Sequence, residues 1–138
     1  MKSIYAILGI VLALAVAVNL SGYIFHWYQQ FWWFDRVLHA YTSLAATLVV
    51  GVLFYRTVAS RLDDRRGLLM LTVVLVGLAF GALWEIGEFW IARSGTPGGA
   101  SRFDTVMDLI MDLIGATLAG WLTIKILFNP KWAGFNKS

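Results

Sequence analysis

Apolar residues in this chain come in long unbroken runs rather than in alternation or along one stripe. Four such runs, 4–23, 37–55, 68–92 and 105–128, occupy nearly all of it, and each approaches or exceeds the ~20 residues needed to cross a hydrocarbon layer about 30 Å thick. They predict an all-α integral membrane bundle of four transmembrane helices. Strands do not fit, because the runs lack a period of two and four strands cannot close a barrel that leaves no edge in lipid. Lys2 followed by an apolar stretch rich in small residues also fits a signal peptide, but the run continues past Ala17 to Tyr23 and reads as an uncleaved first span. Between the first two runs lies 26–34, HWYQQFWWF, whose aromatic density suits the headgroup region and predicts an interfacial segment.

Composition points the same way. Of 138 residues, 59% are apolar and 14% charged, against about 45–50% and 25% in soluble domains. This excludes a soluble globular protein and a disordered tail, and the length fits a single four-helix domain over 1–138. The absence of cysteine removes disulfides, thiolate metal sites and cysteine nucleophiles. The net charge of +3 belongs to residues flanking the apolar runs, so it reads as a topology signal and not as nucleic-acid binding. With both ends on one face, Lys2, Arg56, Arg61, Arg65, Arg66, Lys125, Lys131 and Lys137 fall on one side and Arg36, Arg93 and Arg102 on the other. That asymmetry predicts cytoplasmic termini. Trp84, Phe89, Trp90, Trp121 and Trp132 suit interfacial anchors. The loop 57–67 is charged, and 93–103 is rich in glycine and so flexible. Gly77 with Gly81, and Ala116 with Gly120, are small-xxx-small pairs that predict close helix packing within the bundle.

The carboxylates carry the chemistry. Asp63 and Asp64 sit among arginines in the cytoplasmic loop, whereas Asp35, Glu85, Glu88, Asp104, Asp108 and Asp112 all fall toward the outer ends of their spans. Residues three or four apart share a helix face, so Asp35 and His39, then Glu85 and Glu88, then Asp104, Asp108 and Asp112, give each of three spans one polar face. At a rise of 1.5 Å per residue, Asp112 lies roughly 12 Å below Asp104, and Glu85 roughly 10 Å from the end of its span. An unpaired charge at such depth costs about 2.5–3.5 kcal/mol or more, so these groups must face the bundle interior. Asp35 and Asp104 also suit the first turn of a helix, where an acid is favourable. Glu88 has Arg93 as a candidate partner, Asp35 has Arg102, and Arg36 can neutralise a further acid. Three outer basic residues cannot neutralise six outer acids, and the remainder needs protons, water or a cation.

Several carboxylates with one imidazole form a hard, mostly oxygen ligand set. It suits a divalent cation, Mg, Mn or Ca, with Zn or Fe when His39 ligates. His39, Glu85, Glu88, Asp108 and Asp112 are the candidate metal ligands, and Asp35 and Asp104 candidate additions. Arg36 and Arg102 are placed to meet an anionic ligand. No HExxH, Walker loop or GxSxG occurs, and Ser43 shares a helix face with His39, which argues against a Ser–His–Asp hydrolase. His26 and His39 lack the supporting pattern of a haem or pigment site.

Three segments, Phe34-Asp35-Arg36-Val37-Leu38-His39, Trp84-Glu85-Ile86-Gly87-Glu88 and Arg102-Phe103-Asp104-Thr105-Val106-Met107-Asp108-Leu109, with Gly115-Ala116, resemble the YjdF-type bacterial inner-membrane proteins and, more distantly, VanZ-like proteins. Those families carry Asp-x-x-x-His on one helix, a Glu-rich segment on the next, and Asp-x-x-x-Asp/Asn followed by Gly-Ala on the last. The resemblance covers roughly 34–120. It implies a multi-pass protein of the bacterial inner membrane with polar residues at one membrane side, and for the VanZ-like group a link to glycopeptide resistance and the cell envelope. It supplies no reaction. Asp112 stands where VanZ-like proteins often have Asn, which makes this site more negative.

Three readings follow. The first is an outer-face carboxylate/His site binding a divalent cation and through it an envelope lipid headgroup or phosphate, with a metal-bound water available as nucleophile and enzyme status open. The second is a non-enzymatic accessory subunit of a homo-oligomer or larger membrane complex. The third, proton or cation conduction, needs polar groups across the full thickness, and the inner halves offer little beyond Asn19, Ser43, Thr47, Thr72 and Thr123.

Overall fold

The computed structural model describes residues 2–57, 66–93 and 102–128. These form α1 (Lys2–Ile24), α2 (Trp27–Gln30), α3 (Phe34–Thr57), α4 (Arg66–Arg93) and α5 (Arg102–Leu127), with no strand among the described residues. Four of the helices are long and apolar enough to cross a membrane, over Ile4–Ile24, Phe34–Tyr55, Arg66–Trp90 and Arg102–Leu127. The all-helical, four-span architecture is therefore as expected.

The helix starts differ from the apolar runs. Helices α3 and α5 each begin three residues earlier, and α4 two residues earlier. Their first turns carry Asp35 and Arg36, Arg66, and Arg102 and Asp104, charged residues that end a hydrocarbon run yet continue the backbone hydrogen-bond ladder. Most of the two expected loops, with Arg61, Asp63, Asp64 and Arg65 in one and Gly95 to Gly99 in the other, lies outside the described residues, as do Lys131, Trp132, Lys137 and the side chains of Lys2, Arg56 and Arg93.

Lipid tails are as apolar as leucine, so helices in a bilayer associate by close packing and polar contacts rather than by escape from water. The most extensive packing is α3 on α5, followed by α4 on α5, while α1 leans on α3. Small residues permit this. Gly115 presses its Cα against the carbonyl of Ala40, and Gly77 faces Ala116, so the small-residue pairs are spent on contacts within the chain. Tyr41 donates a hydrogen bond across to the Val11 carbonyl at 3.2 Å, tying α1 to α3. One end of the bundle is filled by an apolar cluster that includes Ile4, Leu8, Leu48, Val52, Leu69 and Val73. The acids gather at the other end.

The aromatic segment forms the corner between α1 and α3. His26 takes a left-handed conformation at φ 57°, ψ 32°, which reverses the chain before the single turn of α2. Phe34 is buried under Trp27 and Tyr28, whose rings meet it edge-on at 5.5 and 5.1 Å. Such pairs add about 0.5–1.5 kcal/mol each beyond burial and fix where α3, and with it Asp35 and His39, begins.

Gly115→Ala drives a methyl group into the Ala40 carbonyl, whereas a methyl on Gly9 meets nothing within 4 Å. Thermal unfolding in detergent is expected to show Gly115→Ala destabilised by about 1–3 kcal/mol and Gly9→Ala unchanged or stabilised by up to about 1 kcal/mol. Equal midpoints for the two variants would contradict the close α3–α5 approach.

Candidate functional site

Three helices that are distant in sequence bring their polar faces to one place. On α3, the four-residue spacing stacks Asp35 over His39. On α4, Glu85 and Glu88 face inward from the last turns. On α5, the ladder of Asp104, Asp108 and Asp112 runs from the rim to the interior. His39, Glu85, Asp108 and Asp112 retain 6%, 7%, 2% and 3% of their accessible surface, so all four are more than nine-tenths buried.

His39 is the centre. Its Nδ1 lies 3.3 Å from Asp112 Oδ2, and a proton on Nδ1 makes that contact a donation to the carboxylate. The neutral ring then presents the lone pair of Nε2 on its other side. Nε2 stands 3.8 Å from Asp35 Oδ1 and 3.9 Å from Glu85 Oε1, too far for hydrogen bonds. His39 Nε2, both carboxylate oxygens of Glu85 and Asp108 Oδ1 are buried without a hydrogen-bond partner. Acceptors converge here, and no donor among the described residues meets them.

Glycine makes this arrangement sterically available. Gly81 lies directly against the Asp112 carboxylate, in space that a side chain at 81 would fill. Ser43 donates to the backbone carbonyl of Asp112 at 2.9 Å, which holds α5 against α3 and commits that hydroxyl to a structural bond. At the rim, Arg36 pairs with Asp104 at 3.2 Å and donates to the Trp32 carbonyl at 3.1 Å. Arg102 is exposed and pairs with none of the acids, so Asp35 faces His39 instead. Glu88 accepts a hydrogen bond from Trp84 Nε1 at 3.0 Å, giving a tryptophan expected only as an anchor a second role. Phe89, Trp90 and Trp121 are exposed, as anchors should be. His26 is exposed in the corner, apart from the cluster.

Two ligand triads have donor atoms within 4.8 Å of one another, Asp35–His39–Asp108 and His39–Glu85–Glu88. Atoms that each lie about 2.0–2.6 Å from one ion stand roughly 3–5 Å apart, so either triad has the span of a cation site. Asp112, expected as a ligand, is in neither triad; it meets His39 Nδ1 instead, the position from which an outer carboxylate orients a ligating imidazole.

Residues 3–128 match the DUF2238 family, described as a predicted membrane protein. The chain belongs to that family. Among relatives of this DUF2238 protein, an uncharacterised protein of Thermotoga maritima is 31% identical over 123 residues, 85% of this chain. The chain spans 59% of that relative's length. No solved structure matches.

A cavity of about 170 Å³ adjoins the cluster, lined among others by Asn19, Tyr28, Thr42, Phe80 and Trp84. Sequence reasoning assigned none of these to the site, because Asn19, Tyr28, Phe80 and Trp84 reach it only through the crossing of α1, α2 and α4 over α3, and Thr42 depends on the rotation of α3. Burial, then neighbouring Tyr23 and the carboxylates of Asp35 and Glu88, raise the Tyr28 phenol well above its ordinary value, so it stays protonated.

Double-mutant cycles separate the rim from the interior. Arg36→Ala with Asp104→Ala is expected to show a coupling of about 0.2–1 kcal/mol, as for a half-exposed pair. His39→Ala with Asp112→Ala is expected to couple more strongly, about 1–3 kcal/mol, because either single change strands a buried partner. The reverse order would show that His39–Asp112 does not organise the cluster.

Proposed function

We propose that this DUF2238 protein binds a divalent cation at the cluster formed by His39, Glu85, Glu88 and Asp108, with Asp35 as a further ligand and Asp112 orienting the imidazole. One observation carries the reading: His39 Nε2, both Glu85 oxygens and Asp108 Oδ1 are buried acceptors without a donor. A cation held in either triad satisfies His39 together with Glu85 or with Asp108. The mixed oxygen and nitrogen set accommodates Mg, Mn or Ca, and Zn or Fe through the imidazole. Arg36 is held by Asp104, with Nε still lacking a partner, and offers one donor to an anion carried by the cation. A lipid headgroup or phosphate is the anion a bilayer site would meet.

The charge asymmetry of the chain supports cytoplasmic termini in a bacterial inner membrane, which puts the cluster toward the outer face. The family match favours the YjdF-type resemblance, while the VanZ-like one rests on motifs alone. Conduction finds little support in the apolar cluster at the opposite end. An accessory role finds some in α1, which leaves much of its apolar surface uncovered.

Elemental analysis after dialysis against metal-free buffer is expected to find about one divalent ion per chain, lost in Glu85→Gln/Asp108→Asn. Affinity should fall as pH is lowered, because protons compete for the same ligand atoms. Wild-type protein without retained metal would sink the tight-site reading and favour the accessory one. For topology, the cysteine-free sequence permits single-site labelling. A membrane-impermeant maleimide added to intact cells is expected to label Phe103→Cys and spare Thr57→Cys, and the opposite result would invert the orientation.

A further inference from the structure

The cavity beside the cluster has a chemistry of its own. It shares Asp35, His39 and Asp112 with the polar face of the bundle but is not lined by Glu85, Glu88 or Asp108. Its other walls combine three aromatic side chains, Tyr28 from α2 and Phe80 and Trp84 from α4, with aliphatic Leu38 and Ala46 and polar Asn19, Thr42 and Ser43, and among the described residues no lysine or arginine lines it. His39, 6% exposed and with its Nε2 unpartnered, lines this space, and Thr42 adds a buried hydroxyl that also lacks a partner.

Each candidate occupant can be weighed. About 170 Å³ exceeds what one metal ion fills; an engineered cavity of about 150 Å³ takes up benzene. An anion would meet two carboxylates with no cationic side chain beside it. A neutral apolar group would cover the aromatic walls but leave Asp35, His39 and Thr42 unsatisfied. An organic cation answers both surfaces, since its N–H groups donate to carboxylate, imidazole and hydroxyl while aromatic faces attract its charge.

We propose that this cavity binds an alkylammonium group, its N–H donors directed at Asp35, His39 and Thr42 and its carbon stem held among Tyr28, Phe80 and Trp84. The ammonium belongs either to an aminolipid headgroup or to a free amphiphilic amine. The site overlaps the proposed cation cluster at Asp35 and His39, so a metal ion and the ammonium compete for those two side chains, and neither proposal requires the other.

The test uses the full chain in lipid nanodiscs, titrated with hexylammonium and followed by calorimetry, with hexanol and hexanoate as matched controls. Hexylammonium is expected to bind saturably and at least about tenfold more tightly than hexanol, with no saturable hexanoate binding. Trp84→Leu should weaken it by about threefold to thirtyfold while Trp84→Phe retains most of the affinity, as an attraction to the ring face requires. Both variants lose the hydrogen bond to Glu88, so their difference isolates the ring. Asp35→Asn should cost about tenfold or more.

Discs containing phosphatidylethanolamine distinguish the sources when compared with discs of phosphatidylglycerol alone. Weaker apparent hexylammonium binding in the former assigns the site to an aminolipid, and equal binding assigns it to a free amine. Hexanol binding as tightly as hexylammonium, or affinity unmoved between Trp84→Phe and Trp84→Leu, would overturn the proposal. Metal content is measured on the same samples. The titration is run on the same samples after chelation, so absence of amine binding to the metal-free protein removes this proposal alone, and absence of retained metal before chelation removes the metal one alone.

Discussion

A polar side chain inside a bilayer-spanning bundle has no bulk water to return to, so protein, trapped solvent or a ligand must meet it. The contact between His39 and Asp112, 3.3 Å across the α3–α5 seam, is where this constraint organises the molecule. It sets the imidazole with one nitrogen engaged and the other aimed toward Asp35 and Glu85. It also dictates its surroundings. The Asp112 carboxylate occupies the space beside Gly81 that any larger residue would take, and the Ser43 hydroxyl binds the Asp112 carbonyl. One seam thus couples helix register to the orientation of a side chain.

The bundle divides its tasks along its length. At one end Ile4, Leu8, Leu48, Val52, Leu69 and Val73 form an apolar cluster, with the buried Thr123 hydroxyl near Val73 at Gly51. At the other, small residues have already brought the helices close, so the polar groups need not supply the association energy. Gly115 against Ala40 and Gly77 against Ala116 provide that approach. The aromatic corner then fixes the start of α3 through Phe34, which places Asp35 and His39 relative to the acids of α4 and α5. Packing positions the polar cluster.

Much of this was legible in the sequence. The four spans follow from unbroken apolar runs, and helical spacing put Asp35 with His39, and Asp108 with Asp112, on shared faces. Antiparallel alternation of the spans carried the acids to one end. What stayed hidden depends on rotations about helix axes, which spacing does not encode. Nothing along the chain said that Asp112 rather than Asp108 would face the imidazole, that Arg36 would take Asp104, or that Gly81 would make room for a carboxylate. Trp84 read as an interfacial anchor because its hydrogen bond to Glu88 and its place in the cavity wall appear only when α4 is set against α2 and α3. Helices α3, α4 and α5 start before their apolar runs because charged first turns continue each helix beyond the hydrocarbon run.

The balance of charge gives the cluster its meaning. Arg36 is consumed at the rim by Asp104, and among the described residues neither it nor Arg102 pairs with Asp35, Glu85, Glu88, Asp108 or Asp112, which leaves His39 as the basic side chain set among these acids. Apolar residues of similar volume at 85 and 108 would pack the same helices without leaving a carboxylate uncompensated, and replacing buried charges in that way is often neutral or stabilising. Stability therefore gives no reason for Glu85 and Asp108 to be acids. Their orphaned oxygens are best understood through what they bind, and a bundle held together by glycine, alanine and an apolar cluster is one that tolerates the cost of keeping them so.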